Sequence, residues 1–301
     1  MVYLHAVTYT ALGRAVAIAL ATLVVFGLVF LREATSPSGE GYWTAMAAAP
    51  GGDLYLADEG HRELRLIHYT GGGWTRLAAT PAGIYRALAA DGPNLLLATE
   101  GKLYQSNDTG AHWRAVLDGR FTAVALLGVH EVAGAWAQGL YVSDDSGATW
   151  TKANIPAGDT EFESLLPNGF AGTLLGLLHS SDGDRTWTRV AGIPDRITAL
   201  DLDRGGAEAL VAVGDWRGTV WYYDPFTRAV TRSVTYPGGI ESLAGQVTAT
   251  TGGPYPDHPG PLHGREVTRV VATGHGYFAA AARGPLYFSG DGLEWALAYQ
   301  G

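Results

Sequence analysis

From residue 42 onward the chain is a succession of short apolar runs, each broken by Gly, Asp, Ser, Asn or Pro. The run Phe121-Thr122-Ala123-Val124-Ala125-Leu126 is followed by a second around Val132-Ala133 and a third, Gly139-Leu140-Tyr141-Val142. A polar turn comes next, and then a segment led by Trp150. Apolar runs this short, bounded by turn residues, read as β-strands. Four such strands per unit, repeated along the chain, describe the blades of a propeller. The spacing predicts blades over about 42–78, 83–117, 120–154, 160–191, 195–234 and 266–299. The interval 233–265 carries Pro237, Pro254, Pro256, Pro259 and Pro261, and proline lacks the N–H that a central strand needs. It therefore reads as an insertion, although Ile240-Glu241-Ser242-Leu243 echoes Phe162-Glu163-Ser164-Leu165. The expected fold is all-β, a six-bladed β-propeller, with a degenerate seventh blade as the alternative.

The turn between the third and fourth runs has its own grammar. Ser143, Asp145, Gly147 and Trp150 stand in the order S-x-D-x-G-x-T-W. Ser106, Asp108, Gly110 and Trp113 repeat it, as do Ser180, Asp182 and Trp187, and a shortened copy holds Ser289, Asp291 and Trp295. Trp113, Trp150 and Trp187 are each 37 residues apart. An aspartate in this setting accepts backbone N–H groups a few residues on, glycine supplies a positive φ, and Trp is large enough to wedge between units. The copies drift. Residues 69–74 turn on glycines without the aspartate, Asp184 stands where the box glycine is expected, and Asp224-Pro225-Phe226-Thr227 is followed by Arg228 instead of Trp.

These boxes make the soluble part resemble the Asp-box, or bacterial neuraminidase repeat, propellers. The resemblance implies that the box aspartates are structural, at the rim between outer strands. It spans sialidases, sortilin-type receptors and photosystem II assembly-factor propellers, so it leaves three function classes open. Of these, the last is closest in box type, blade length and membrane association, although the basic patch those proteins use is not found here.

Charge and the amino terminus narrow the choice. The formal net charge is −9 with no basic run, which argues against nucleic-acid partners. There is no cysteine, so disulfides and thiolate metal sites are excluded. Residues 15–31 are free of charge and rich in Ala, Val, Leu and Phe; with 11–14 they are long enough to span a bilayer at about 1.5 Å per residue. No small-x-small cleavage site follows directly, so 1–34 reads as an uncleaved single-pass anchor and not a signal peptide. Residues 35–41 are then a linker, and 42–301 a propeller on the extracytoplasmic side.

Candidate chemistry is thin. Sialidases, by that resemblance, bind a carboxylate with an arginine triad. Arg86, Arg120, Arg196 and Arg269 lie near first strands, but Ile84-Tyr85-Arg86-Ala87-Leu88 lacks the proline of the F/Y-R-I-P motif. Asp257, His258 and His263 suit zinc by type but not by a distinctive spacing. The expected function is a non-enzymatic accessory subunit or assembly factor, with no cofactor and no metal. It would touch protein subunits of a membrane complex, bioenergetic or photosynthetic, through Tyr255, His258, His263, His61 and Arg62. A receptor-like ligand-binding propeller and a sialidase-like glycoside hydrolase are the alternatives.

Overall fold

The computed structural model describes residues 43–58, 65–70, 73–77, 80–203, 210–256, 260–282 and 284–299. The predicted membrane segment, the linker, His61, Arg62, Asp257 and His258 lie outside these residues. No helix among the described residues is long and apolar enough to cross a membrane.

The described strands form seven sheets, each built from strands consecutive in the chain. The first strands of the sheets are Trp43–Ala48, Tyr85–Asp91, Phe121–Leu127, Phe162–Leu166, Ile197–Asp203, Ile240–Ala244 and Val267–Thr273. They neighbour one another in that cyclic order, with the last beside the first. The chain is a β-propeller of seven blades, not six. The interval expected to be an insertion is blade six, a three-stranded sheet of Ile240–Ala244, Val247–Thr250 and Gly253–Tyr255. The proline argument fails for a physical reason: Pro254 does lie in a strand, but in the outermost one, where its missing N–H removes no ladder bond to a further strand. Among the described residues no fourth strand follows Tyr255; Leu262, 1% exposed, is packed into the core between blades six and seven.

Each pair of adjacent blades encloses its own apolar cluster, and all seven pairs have one. The recurrent contact is a wedge. The first residue of the inner strand, such as Tyr85, Phe121, Phe162, Ile197, Ile240 or Val267, is at most 1% exposed. It presses on the second strand of the preceding blade, where the side chain must be small. A Cβ on Gly134 would stand 2.6 Å from that of Phe162, and one on Gly214 would stand 2.5 Å from Ile240. Blades seven and one share no strand. Their seam closes through Phe278, Trp74, Tyr69 and Tyr299, with Trp74 5.0 Å from the Tyr299 ring.

The tryptophan after each turn packs into the cluster shared with the preceding blade: Trp113, Trp150, Trp187 and Trp295 all do so. They are not equivalent. Trp187 is 3% exposed and its indole N–H donates to Asp184 O at 2.7 Å, whereas the buried indole nitrogen of Trp150 has no hydrogen-bond partner among the described residues. Replacing Trp187 by Ala is expected to cost about 3–5 kcal/mol, the range for a buried aromatic, and Trp150→Ala less. Denaturant midpoints of the two variants check this; equal losses would contradict the packing order.

Candidate functional site

Within a blade the strands are antiparallel, so the inner strand begins on one face of the disc and the second strand returns to it. We call this the upper face. It carries the connections from the second to the third strand. The lower face carries the box turns, which join the third to the fourth.

On the lower face the repeated grammar of the sequence is spent internally. In blade three, Ser143 Oγ donates to Asp145 Oδ1 at 2.8 Å and accepts from Gly147 N at 2.9 Å, while Asp145 accepts from Thr149 N at 2.8 Å and Thr149 Oγ1 at 2.6 Å. Blade two repeats the set with Ser106, Asp108, Gly110 and His112; blade four repeats it with Ser180, Asp182 and Thr186. Blade seven has Ser289 to Asp291 at 3.0 Å and Gly292 N to Ser289 Oγ at 2.9 Å. The positive φ falls in phase in three turns, on Gly110 (85°), Gly147 (69°) and Asp184 (63°). Aspartate tolerates this conformation better than most residues. It is held there because its carboxylate, 2% exposed, meets His130 Nε2 at 2.6 Å. The other ring nitrogen of His130 meets Asp144 Oδ1 at 2.8 Å, so one imidazole clips blade three to blade four.

The upper face is built differently. In every blade the ladder skips the second residue of the inner strand: Thr44, Arg86, Thr122, Glu163, Thr198, Glu241 and Thr268. A bulged residue is freed from the pleat and re-aimed. These seven form one level of the axial channel, threonine in odd blades and a charge in even ones. Thr122 Oγ1 donates to Phe162 O of the next blade at 2.8 Å, and Thr198 bonds Ile240 O in the same way. Arg86 pairs with Glu100, which Arg120 also reaches at 3.3 Å.

Above this level, in five of the blades, the residue before the inner strand accepts from the residue after the second strand. Trp136 N bonds Arg120 O at 2.8 Å, and Trp216 N bonds Arg196 O at 3.3 Å. Both indoles are exposed, at 37% and 44%, and both lie under guanidiniums: Arg120 is 4.7 Å from the Trp136 ring, and Arg217 is 5.0 Å and Arg196 5.7 Å from that of Trp216. Leu175 of blade four, between them, is 47% exposed.

The four arginines singled out in the sequence do reach the upper face, yet each is committed there. Arg86 and Arg120 share Glu100, Arg196 stacks on Trp216, and Arg269 Nη1 donates to Thr268 O at 3.1 Å and Glu241 O at 3.4 Å. Tyr85 is fully buried and its hydroxyl donates to Pro81 O at 2.7 Å. Of the expected partner contacts, Tyr255 sits in the outer strand of blade six with its ring 5.3 Å from Tyr236, and His263 lies in the turn after it. At the lower end of the channel, a cavity of about 770 Å3 is lined by residues including Leu166, Asp201, Leu243 and Tyr277. No group of three or more ligating side chains among the described residues could hold a metal.

No family model matches the chain, and no curated protein matches it. Among solved structures it is similar to the computationally designed Ika8 protein, at 15% identity and a TM-score of 0.60 over 88% of each chain. It is also similar to a chain of the Mitotic Checkpoint Complex, at 12% identity and 0.61 over 80% of this chain and 84% of that one. Saccharomyces cerevisiae Sqt1 matches at 13% identity and 0.59, over 85% and 84%. At these identities the likeness is one of fold.

The hydrogen bonds of the box turns set a pH dependence. Asp145 is held down to about 2 by the Thr149 hydroxyl, the Thr149 N–H and Ser143; Asp108 and Asp182 are likewise near 2, chiefly through the N–H of His112 and of Thr186. A lowered carboxylate contributes stability above its unfolded value of 3.8 and loses it as pH falls through about 2. The thermal midpoint of Asp145→Asn should lie furthest below that of the unaltered protein above pH 4 and converge with it near pH 2. A pH-independent gap would contradict this.

Proposed function

We propose that this protein is a membrane-anchored Asp-box propeller without enzymatic activity, an accessory subunit or assembly factor that docks protein subunits of a membrane complex through its upper face. One observation carries the reading. Trp136 and Trp216 occupy equivalent rim positions, exposed, backed by arginine and fixed on short turns whose backbone is hydrogen-bonded. Trp and Arg are the residues that dominate protein–protein binding energies, and a rigid platform loses little entropy on docking. The commitment of Arg86 and Arg120 to Glu100 speaks against a carboxylate-binding arginine fork, as does the buried phenol of Tyr85. The uncharged segment 15–31 supports the anchor, and the box turns support the family.

Two measurements test this. Intact protein solubilised in mild detergent should co-purify with a defined complex, and the double variant Trp136→Ala/Trp216→Ala should lose most of it while keeping its thermal midpoint. Each such anchor typically contributes ~2 kcal/mol or more. Undiminished co-purification would remove the upper face from the interface. Separately, the full-length chain should sediment with membranes; recovery in the soluble fraction would overturn the anchor.

A further inference from the structure

The second strand of blade three, His130–Ala135, sends alternate side chains to its two neighbours. Val132 enters the cluster shared with blade four, while Ala133 and Ala135 enter the one shared with blade two. By the same alternation His130 turns to blade four, where it meets Asp184, and Glu131 turns to blade two, where it meets Gln105. Glu131 stands four residues before the ladder partner of the inner strand's first residue. Blades one, two and five put Leu54, Leu95 and Val211 at that position. All four side chains are at most 1% exposed. Blade three alone of these four fills the position with a group that can ionise.

That group is wedged between blade two and its own box turn. Glu131 Oε1 accepts from Gln105 Nε2. Gln105 Oε1 in turn accepts from Arg114, whose guanidinium also donates to Ser146 O at 2.7 Å. Glu131 Oε2 is buried and has no hydrogen-bond partner among the described residues. Gly147 lies over it so closely that a Cβ would stand 2.9 Å from Oε2 and 3.1 Å from Gln105 Oε1. The turn of blade three thus rests on a carboxyl group held by one neutral amide, and Arg114 bonds that amide, not the carboxyl group. Ionised, Glu131 would bury a charge with one oxygen unmatched; protonated, it buries none.

We propose that Glu131 is a proton-operated latch: while it is neutral the box turn of blade three stays seated against blade two, and its ionisation loosens that turn. The device is independent of what the upper face binds. Burial pushes Glu131 up to about 7; Gln105, Arg114 and His130 oppose this, and Asp145 adds to it. On the blade-four side, His130 bonds Asp184 and Asp144, and Arg185 also pairs with Asp144. Burial lowers His130, but its bonds to those two carboxylates leave it raised overall; burial also raises Asp184. The folded value of Glu131 lies above its ordinary 4.5, so its contribution to stability is complete below 4.5 and is lost as pH rises through about 7. The contribution of His130 is complete below 6.5 and is likewise lost as pH rises. Both sides of blade three are therefore held more firmly on the acid side of neutrality.

The test is amide hydrogen exchange of the full-length protein in mild detergent, read at residues 144–149 at a pH well below and a pH well above 7. After correction for the intrinsic effect of pH, the turn should exchange at least about tenfold faster at the higher pH, as one decade of proton linkage gives. Glu131→Gln stays neutral at every pH and should lose most of this acceleration. His130 is present in both proteins, so the difference between them belongs to Glu131. Glu131→Leu, which copies Leu54 and Leu95, should behave as the glutamine variant does and decides the matter if that variant fails to fold. No acceleration in the unaltered protein, or an equal acceleration in a folded variant, overturns the latch.

Discussion

The structure depends on one steric fit repeated around the ring: the first side chain of an inner strand pressed against a second strand that has almost no side chain there. Phe162 on Gly134 and Ile240 on Gly214 show it most tightly, where even a methyl group would overlap its neighbour. The contact lets backbones approach closely enough for a threonine hydroxyl to reach the carbonyl of the next blade, as Thr122 reaches Phe162. It also fixes the register of seven inner strands relative to one another. The bulge that follows the wedge turns the next residue of each strand toward the axis, so the chemistry of the channel mouth is set by the same geometry that closes the ring. A propeller of this kind needs no strand shared between first and last blades, provided the seam is packed; here the aromatic set around Trp74 and Phe278 does that.

The two faces resolve their polar groups in opposite ways. Below, each aspartate is saturated by the hydroxyls and N–H groups of its own turn, and the His130 clip completes the one turn that departs from the pattern. The box carboxylates themselves therefore have little left to offer a ligand. Above, the rim combines exposed indoles and stacked guanidiniums.

Much of this was legible in the chain. The box spacing gave the repeat, and the apolar runs placed six of the blades close to their observed strands. Blade six was missed because the proline rule was applied to the whole interval, when it forbids only central strands; the echo of Phe162-Glu163-Ser164-Leu165 in Ile240-Glu241-Ser242-Leu243 was the better signal, since both prove to be inner strands. The upper-face site was hidden for another reason. Trp136 and Trp216 fall outside the box motif, and Arg120 and Arg196 come from 16 and 20 residues earlier, brought to the rings by the ladder, while Arg217 adjoins Trp216 in sequence. Aligning the second residues of the first-strand runs would have exposed the alternation of threonine with Arg86, Glu163 and Glu241.

The central claim is a division of labour, with the lower face holding the blades together and the upper face meeting the partner. Amide hydrogen exchange of the full-length protein, measured alone and in the co-purified complex, tests it most directly. The account predicts slowed exchange on binding in the upper turns, residues 136–138, 174–175 and 216–218, with the box turns at 107–112, 144–149 and 181–186 unchanged. Protection confined to the box turns would contradict it.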